Sequence, residues 1–171
     1  MDVIIRPLTP ADRSAFRALR RRALSTDPDA FLMTLAEEDA VERLLLENLL
    51  DQPTPANCLM AAERDGQLIG VVGLANRSVV KIRHVAHLVS VYVAPEARRH
   101  GIARRLIEAA IARAFAQPQI EAVVLDVVAG QPAEALYRRL GFREFGREPD
   151  AHYFDNKRFD LLHMRLARPA R

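Results

Sequence analysis

One cysteine, no tryptophan and an aromatic share of only 6% set the first limits on this 171-residue chain. A lone Cys58 cannot close an intrachain disulfide, which excludes the small stapled scaffolds of secreted proteins. It sits in the apolar run from Cys58 to Ala62 and reads as a small core residue, with nothing nearby in sequence to make it a reactive thiol. No grouping of cysteine and histidine has zinc-ligand spacing, so no metal site is expected. No stretch approaches the roughly eighteen uninterrupted apolar residues of a membrane span. The N-terminal Met-Asp-Val-Ile-Ile-Arg-Pro lacks the basic-then-apolar layout of a signal peptide. A cytoplasmic protein with no membrane partner is the expectation. The few aromatics are not interleaved with a basic stretch, as a stacking platform for single strands requires, so no nucleic-acid partner is expected either.

What the chain does have is a globular composition, 50% hydrophobic and 27% charged. Its length suits one domain over residues 1–171, with a two-sided core around a sheet. A net charge of +3 and an isoelectric point of about 9.5 favour an anionic ligand without demanding nucleic acid.

The stretch from Leu88 to Leu106 organises the rest. It opens as a continuous Val-rich run, the pattern of a strand buried on both faces. Pro95 has no amide hydrogen for the ladder and stops the strand. A basic loop, Arg98-Arg99-His100, leads to Gly101, after which apolar residues recur at Ile102, Leu106, Ile107, Ala110, Ile111, Ala114 and Phe115 with helical spacing. Strand, tight basic turn and helix follow. Such a turn aims the free amides of the first helical turn, with the positive end of the helix dipole, at whatever lies above, and Gly101 and Ala103 allow close approach. A phosphate or pyrophosphate suits that place. An ordinary strand-to-helix connection with a solvated arginine pair is the alternative.

Along the chain, Asp2 to Leu8 reads as a strand. Thr9 as N-cap, with Pro10 next and Asp12 in the first turn, starts a helix to about Ser25. It buries Phe16 and Leu19, while Arg13, Arg17, Arg20, Arg21 and Arg22 read mostly as a solvated face. Asp27-Pro28-Asp29 breaks the chain, Phe31-Leu32-Met33 forms a short apolar loop, and a second helix is predicted from Glu37 to about Asp51 with Val41, Leu44, Leu45 and Leu49 inward. Asn57 to Glu63 and Gln67 to Leu74 form a hairpin through Asp65-Gly66. The central strand runs from Arg83 to Val93, another from Glu121 to Val128, and a short helix from Ala133 to Leu140. Phe142 to Phe145 and Arg158 to Leu166 close the sheet around a loop holding Glu148, Asp150, His152, Tyr153 and Asp155. The order predicts an α/β (α+β) protein with a mixed, mostly antiparallel sheet and helices on both faces.

Two motifs carry a resemblance. Val93-Ala94-Pro95 followed by Arg98-x-x-Gly101-x-Ala103 resembles the acetyl-CoA signature of the GCN5-related N-acetyltransferases. Ala133-x-x-Leu136-Tyr137-x-x-x-Gly141-Phe142 resembles that family's next motif, in order and with a strand between. The resemblance is close from Arg83 to Phe142 and looser in the flanks. It implies an acetyl-CoA-dependent N-acetyltransferase acting on a small-molecule or peptide amine by direct attack in a ternary complex. A module that binds an acyl-CoA without catalysis is the rival. Homodimers are common in the family and form part of the expectation.

By resemblance the diphosphate falls to Arg98, Arg99, His100, Gly101, Ile102, Ala103 and Arg104, chiefly through backbone amides. The pantetheine arm falls to the strand end at Val91, Tyr92 and Val93. Tyr137 takes the position whose hydroxyl faces the coenzyme sulfur, where a phenol can protonate a leaving thiolate; a core tyrosine is the alternative. The family's usual base position, six residues before Val93, holds His87 instead of Glu. An imidazole with an unperturbed pKa of ~6.5 suits the task, with His84, Tyr92, a water chain ending at Asp126 or a purely structural His87 left open. The asparagine that usually opens the second motif is replaced by Gly130, and Gln131 stands next to it as a substitute.

Overall fold

The computed structural model describes residues 2–169. Seven strands form one sheet in the order β1-β2-β3-β4-β5-β7-β6. They are β1 (Ile4–Pro7), β2 (Cys58–Arg64), β3 (Gln67–Asn76), β4 (Val85–Val93), β5 (Ala122–Val128), β6 (Arg143–Phe154) and β7 (Lys157–Ala167). Every neighbouring pair is antiparallel except β4 and β5, which run parallel. Among the described residues there are five α-helices: α1 (Arg13–Thr26), α2 (Leu35–Asp39), α3 (Asn48–Asp51), α4 (Ile102–Phe115) and α5 (Pro132–Arg139). The mixed, mostly antiparallel sheet with helices on both faces is as expected. Among the described residues no helix is long and apolar enough to cross a membrane.

The period of two in the strands divides the core. Cys58, Met60 and Ala62 of β2 join the stripe Ile102, Leu106, Ala110 and Ala114 of α4 on one face. Leu59 and Ala61, the alternate residues, join Phe16, Leu19 and Ala23 of α1 on the other. Asp65 and Gly66 both take positive φ in the two-residue turn between β2 and β3, the backbone that Asp-Gly favours.

Three secondary-structure expectations need correction. Thr9 caps a single tight turn, Pro10–Asp12, before the α-helix proper begins at Arg13. The predicted helix from Glu37 to Asp51 is instead two short helices, α2 and α3, joined by an irregular segment and one tight turn. Leu44 and Leu49 face inward as expected, whereas Leu45 is 87% exposed and Val41 is also exposed. The cause lies in two carboxylates. Glu38 bonds Arg20, and the fully buried Glu47 bonds Arg17 and pairs with Arg13, all from α1. In a continuous helix, residues nine apart point about 180° away from each other, so both glutamates reach α1 only if the helix breaks. The same contacts revise the view of the α1 arginines as a solvated face. Arg20 is buried, and Arg21 and Arg22 pair with Asp39 and Glu96.

The third correction concerns the acidic segment after Phe145, which is not a loop. It belongs to β6, and the two closing strands form a long hairpin turning at Asp155 and Asn156, both with positive φ. Gly146 and Pro149 argue against a strand, but β6 is the sheet edge, where irregularities at Glu144/Gly146 and Glu148/His152 absorb them.

Glu47 should be the carboxylate on which the α1–α3 packing depends. Arg17 above all, with the Leu44 amide and Arg13, holds its acid down at about 2. Its contribution to stability is full above about pH 4.5, the unfolded value, and is lost as pH falls from there toward 2. Glu47→Gln should cost roughly 3 kcal/mol, the scale for breaking a buried ion pair. Urea denaturation of both proteins at pH 7 and pH 3 checks this: the gap between them should shrink at the lower pH.

Candidate active site

The parallel pair β4–β5 holds together only over Val85–Ala122, Ala86–Val123 and His87–Val124. Beyond His87 the strands part, although β4 runs on to Val93 and β5 to Val128. A cleft therefore opens in mid-sheet. The Ala94 amide donates to Ile69 O at 2.9 Å on the β3 side. By alternation along an extended strand, the Tyr92 amide also faces β3, while Val91 and Val93 present theirs to the cleft. The Tyr92 side chain is turned away too. It is buried on the α1 face, with its hydroxyl 3.1 Å from that of Thr26. Of the three residues expected along the arm, Val91 and Val93 front the cleft and Tyr92 does not.

A bulge sets this edge. Val71 pairs with Tyr92 but Gly73 with Val89, so β4 carries one extra residue, and Ser90 takes φ of 53° there. Arg20 reaches across from α1, donating from Nη1 to Ser90 Oγ at 3.2 Å and from Nε to Glu38 at 2.9 Å. Its guanidinium also lies 4.7 Å from the centre of the Phe31 ring. A buried arginine thus ties α1, α2 and the loop between them to the bulge. The β4 run Leu88 to Val93 carries no sequence signal for either feature.

At the upper end of the cleft, Arg99 and Gly101 take φ of 65° and 73°, and α4 starts directly after Gly101 with no side-chain cap. The backbone bonds resume with the Arg105 amide donating to Gly101 O at 3.0 Å. Among the described residues, the amides of Arg99, His100, Gly101, Ile102, Ala103 and Arg104 have no acceptor. Successive N–H groups around left-handed residues make a concave anion seat, and the helix dipole adds to it. A Cβ on Gly101 would meet nothing within 4 Å, so the space there is open. The Arg98 side chain is engaged elsewhere. Its Nε donates to Val93 O at 2.9 Å and its Nη2 to Asp27 at 2.5 Å, which braces the turn against the strand end and the α1 C-terminus. His100 Nδ1 lies 2.7 Å from Arg98 O.

Tyr137 and His87 flank the cleft from opposite faces. Tyr137 lies in the α4-side core with Val91 packed against the same cluster, and its ring meets Phe142 edge-on at 5.8 Å. Burial pushes its phenol well above the usual range, so it stays protonated. The hydroxyl bonds no described residue, yet it is not among the buried unpartnered polar atoms and so keeps access to solvent. His87 is on the α1 side, sharing its face with Val89 at the point where the strands part. Burial, then the Arg77 charge, push its imidazole below 6.5, and Asp126 pulls weakly the other way.

Gln131 holds the N-cap position of α5 without a side-chain capping bond and lines a pocket of about 180 Å³ with Thr26 to Ala30. The neighbouring Gly130 amide is taken by Glu134 Oε2 at 3.0 Å. A second pocket, of about 220 Å³, opens between the α1–α2 loop and the β6–β7 hairpin, with Phe31, Tyr153, Phe154 and Phe159 among its walls. Among the described residues no group of three or more His, Cys, Asp or Glu is arranged to hold a metal ion.

His87 should titrate below 6.5 in proton NMR. Arg77→Gln should move the midpoint up by removing a cation, and Asp126→Asn should move it down. The imidazole is favoured neutral in the fold, so its contribution to stability is full above about pH 6.5 and declines below it, where the unfolded chain takes up a proton that the folded one resists. A midpoint above 6.5 would contradict the burial argument.

Comparison with known proteins agrees with this geometry. Residues 16–142 match the acetyltransferase (GNAT) family. N-acetyltransferase family 8 member 3 of Rattus norvegicus is 30% identical in an alignment of 97 positions that covers 53% of this chain and 40% of the rat protein, so less than half of that protein's length is matched. Ribosomal-protein-alanine N-acetyltransferase of Brucella melitensis is 30% identical with a TM-score of 0.75, over 96% of this chain and 99% of that one. A GNAT-family acetyltransferase of Streptococcus pneumoniae is 23% identical with a TM-score of 0.80, over 97% and 99%. A Salmonella typhimurium protein described as an acetyltransferase and solved with its cofactor acetyl-CoA is 21% identical with a TM-score of 0.77, over 98% and 94%. The open β4 edge and the amide-lined turn before α4 thus belong to a chain of the GNAT acetyltransferase family.

Proposed function

We propose that the protein transfers an acetyl group from acetyl-CoA to a primary amine, with both substrates bound together. The observation that carries this reading is that one cleft offers both an unpaired strand edge and a seat of free amides. An extended pantetheine arm needs donors along a strand, and a diphosphate needs converging N–H groups; without such partners these peptide groups stay unmatched. The Salmonella protein was solved with its cofactor acetyl-CoA, and the rat and Brucella relatives are named N-acetyltransferases, which supports an acetyl donor and an amine acceptor.

When bound, the coenzyme supplies an activated acetyl thioester and a sulfur leaving group. The amides from Arg99 to Arg104 hold the diphosphate, while Arg98 keeps the turn in place. Val91 and Val93 hold the arm, and the Val91 N–H polarises the acyl carbonyl. Gln131 contributes a side-chain amide from the opposite side of the mouth. His87, favoured neutral, takes the proton that the acceptor ammonium must lose before attack. Tyr137, kept protonated by burial, gives its proton where negative charge develops on sulfur.

Gly101→Glu puts a carboxylate into the amide seat, in open space but at a positive φ that costs a side chain roughly 1–2 kcal/mol, so it should abolish acetyl-CoA binding in calorimetry while the protein stays folded with a lower melting temperature. Unchanged affinity in the folded variant would reject the cofactor assignment. Tyr137→Phe removes one oxygen that has no partner among the described residues. Its melting temperature and acetyl-CoA affinity should hold, while turnover falls roughly ten- to a thousandfold. Release of free thiol from acetyl-CoA with an amine panel reads that turnover, and it also separates an enzyme from a module that only binds.

A further inference from the structure

Asp126 stands on the β5 wall of the cleft, two residues past Val124, which forms the last pair with β4. Val123, Leu125 and Val127 fill the α4-side core, so Asp126 points to the opposite face, the same face as His87. Directly across on β7 is His163, whose Nδ1 lies 2.6 Å from Asp126 Oδ1. The His163 ring is held from the other side as well, with Phe145 at 6.0 Å between centroids and Glu148 3.9 Å from Nε2.

Asp126 and Glu148 share one partner, His163, but only Asp126 is in direct hydrogen-bond contact with it, on the wall of the cleft. Most carboxylates near this cleft and hairpin are neutralised by arginine: Asp27 by Arg98, Glu38 by Arg20, Glu144 and Asp160 by Arg147. Asp126 has only an imidazole within ion-pair distance among the described residues, and its side chain is 57% exposed. One oxygen is fixed by His163 and the other is left toward the open face.

On the reading of this site as an amine acetyltransferase, we propose that Asp126, oriented by His163, is the carboxylate that receives the ammonium group of the acceptor. An ammonium docked there is presented to His87, which lies close enough to feel the Asp126 charge. Asp126 binds and His163 positions it; neither exchanges a proton with the acceptor. The acceptor is then a cationic primary amine, and an amine that is neutral at the working pH gains nothing from the docking charge.

The test compares two acceptors in the thiol-release assay at neutral pH. One is the best charged amine from a panel of spermidine, tyramine, a lysine peptide and an alanyl-N-terminal peptide. The other is hydroxylamine, a neutral nucleophile. Asp126→Asn should lower the ratio of kcat/KM for the charged amine over hydroxylamine by about tenfold or more, chiefly through KM for the amine. Acetyl-CoA affinity by calorimetry should stay within about twofold of wild type. His163→Gln, which keeps the Asp126 charge but loosens its orientation, should shift the ratio the same way by a smaller factor. An unchanged ratio in an active Asp126→Asn protein, or an equal loss with both acceptors, overturns the docking role and leaves the acetyltransferase reading standing. A wild-type protein that binds acetyl-CoA but releases no thiol with any of these amines overturns both.

Discussion

Everything at this site depends on the place where β5 lets go of β4. A parallel pair normally continues as long as both strands do, because each peptide group left behind must otherwise find water or another partner. Here the ladder ends at His87 and Val124 while both strands run on. The released β4 edge lies in the middle of a seven-stranded sheet, so its free N–H groups face a cleft between two strands instead of an outer edge. An extended ligand entering the gap completes the sheet.

The opening needs support from both sides of β4. On one edge β3 stays paired, and the extra residue at Ser90 changes which groups face the gap. Arg20 fixes that bulge by bonding Ser90 and Glu38 together, and Arg98 fixes the strand end by bonding Val93 O and Asp27. Arg20, which reads in sequence as part of a solvated face, and Arg98 are thus braces for the backbone that lines the cleft. The division also separates donor from acceptor. Tyr137 and the amide seat lie with α4 and α5, whereas His87 and Asp126 lie on the face of the α1–α2 loop. With the proposed roles of Tyr137 and His87, their opposite faces suit a reaction in which a nucleophile enters from one side and a leaving group departs on the other.

The strand, turn and helix around Gly101 were legible because their signals are local: a Val-rich run, Pro95, a glycine at positive φ and a helical stripe from Ile102. The short helix bearing Tyr137 was legible for the same reason. The second helix was misjudged because the sequence shows leucine periodicity but not the pull of Arg17 and Arg20 on Glu47 and Glu38, which comes from contacts 30 and 18 residues away. The hairpin after Phe145 was misjudged because Gly146 and Pro149 carry breaker signals that an edge strand tolerates, while the signal for its turn, Asp155-Asn156, lay at the far end of the segment taken for a loop. The bond between Asp126 and His163 spans 37 residues and depends on β7 inserting between β5 and β6, an order no local pattern encodes.

The charge pattern gives the same division of labour. With 25 basic and 22 acidic residues, the chain looks from its sequence like a weakly basic surface. In the fold, many arginines of α1 and the hairpin are locked onto carboxylates, so they present little free positive charge. At the α4 turn the free backbone amides add to the guanidinium groups of Arg99 and Arg105, which pair with no carboxylate among the described residues, and no counter-anion among the described side chains competes for the amides. Negative potential facing the cleft comes from Asp126, which an imidazole orients but an arginine does not cancel. On the proposed reading, a cleft with positive charge at one end and the Asp126 carboxylate at the other suits an anionic coenzyme and a cationic acceptor at the same time. Neither has to displace an ion pair of the protein to bind.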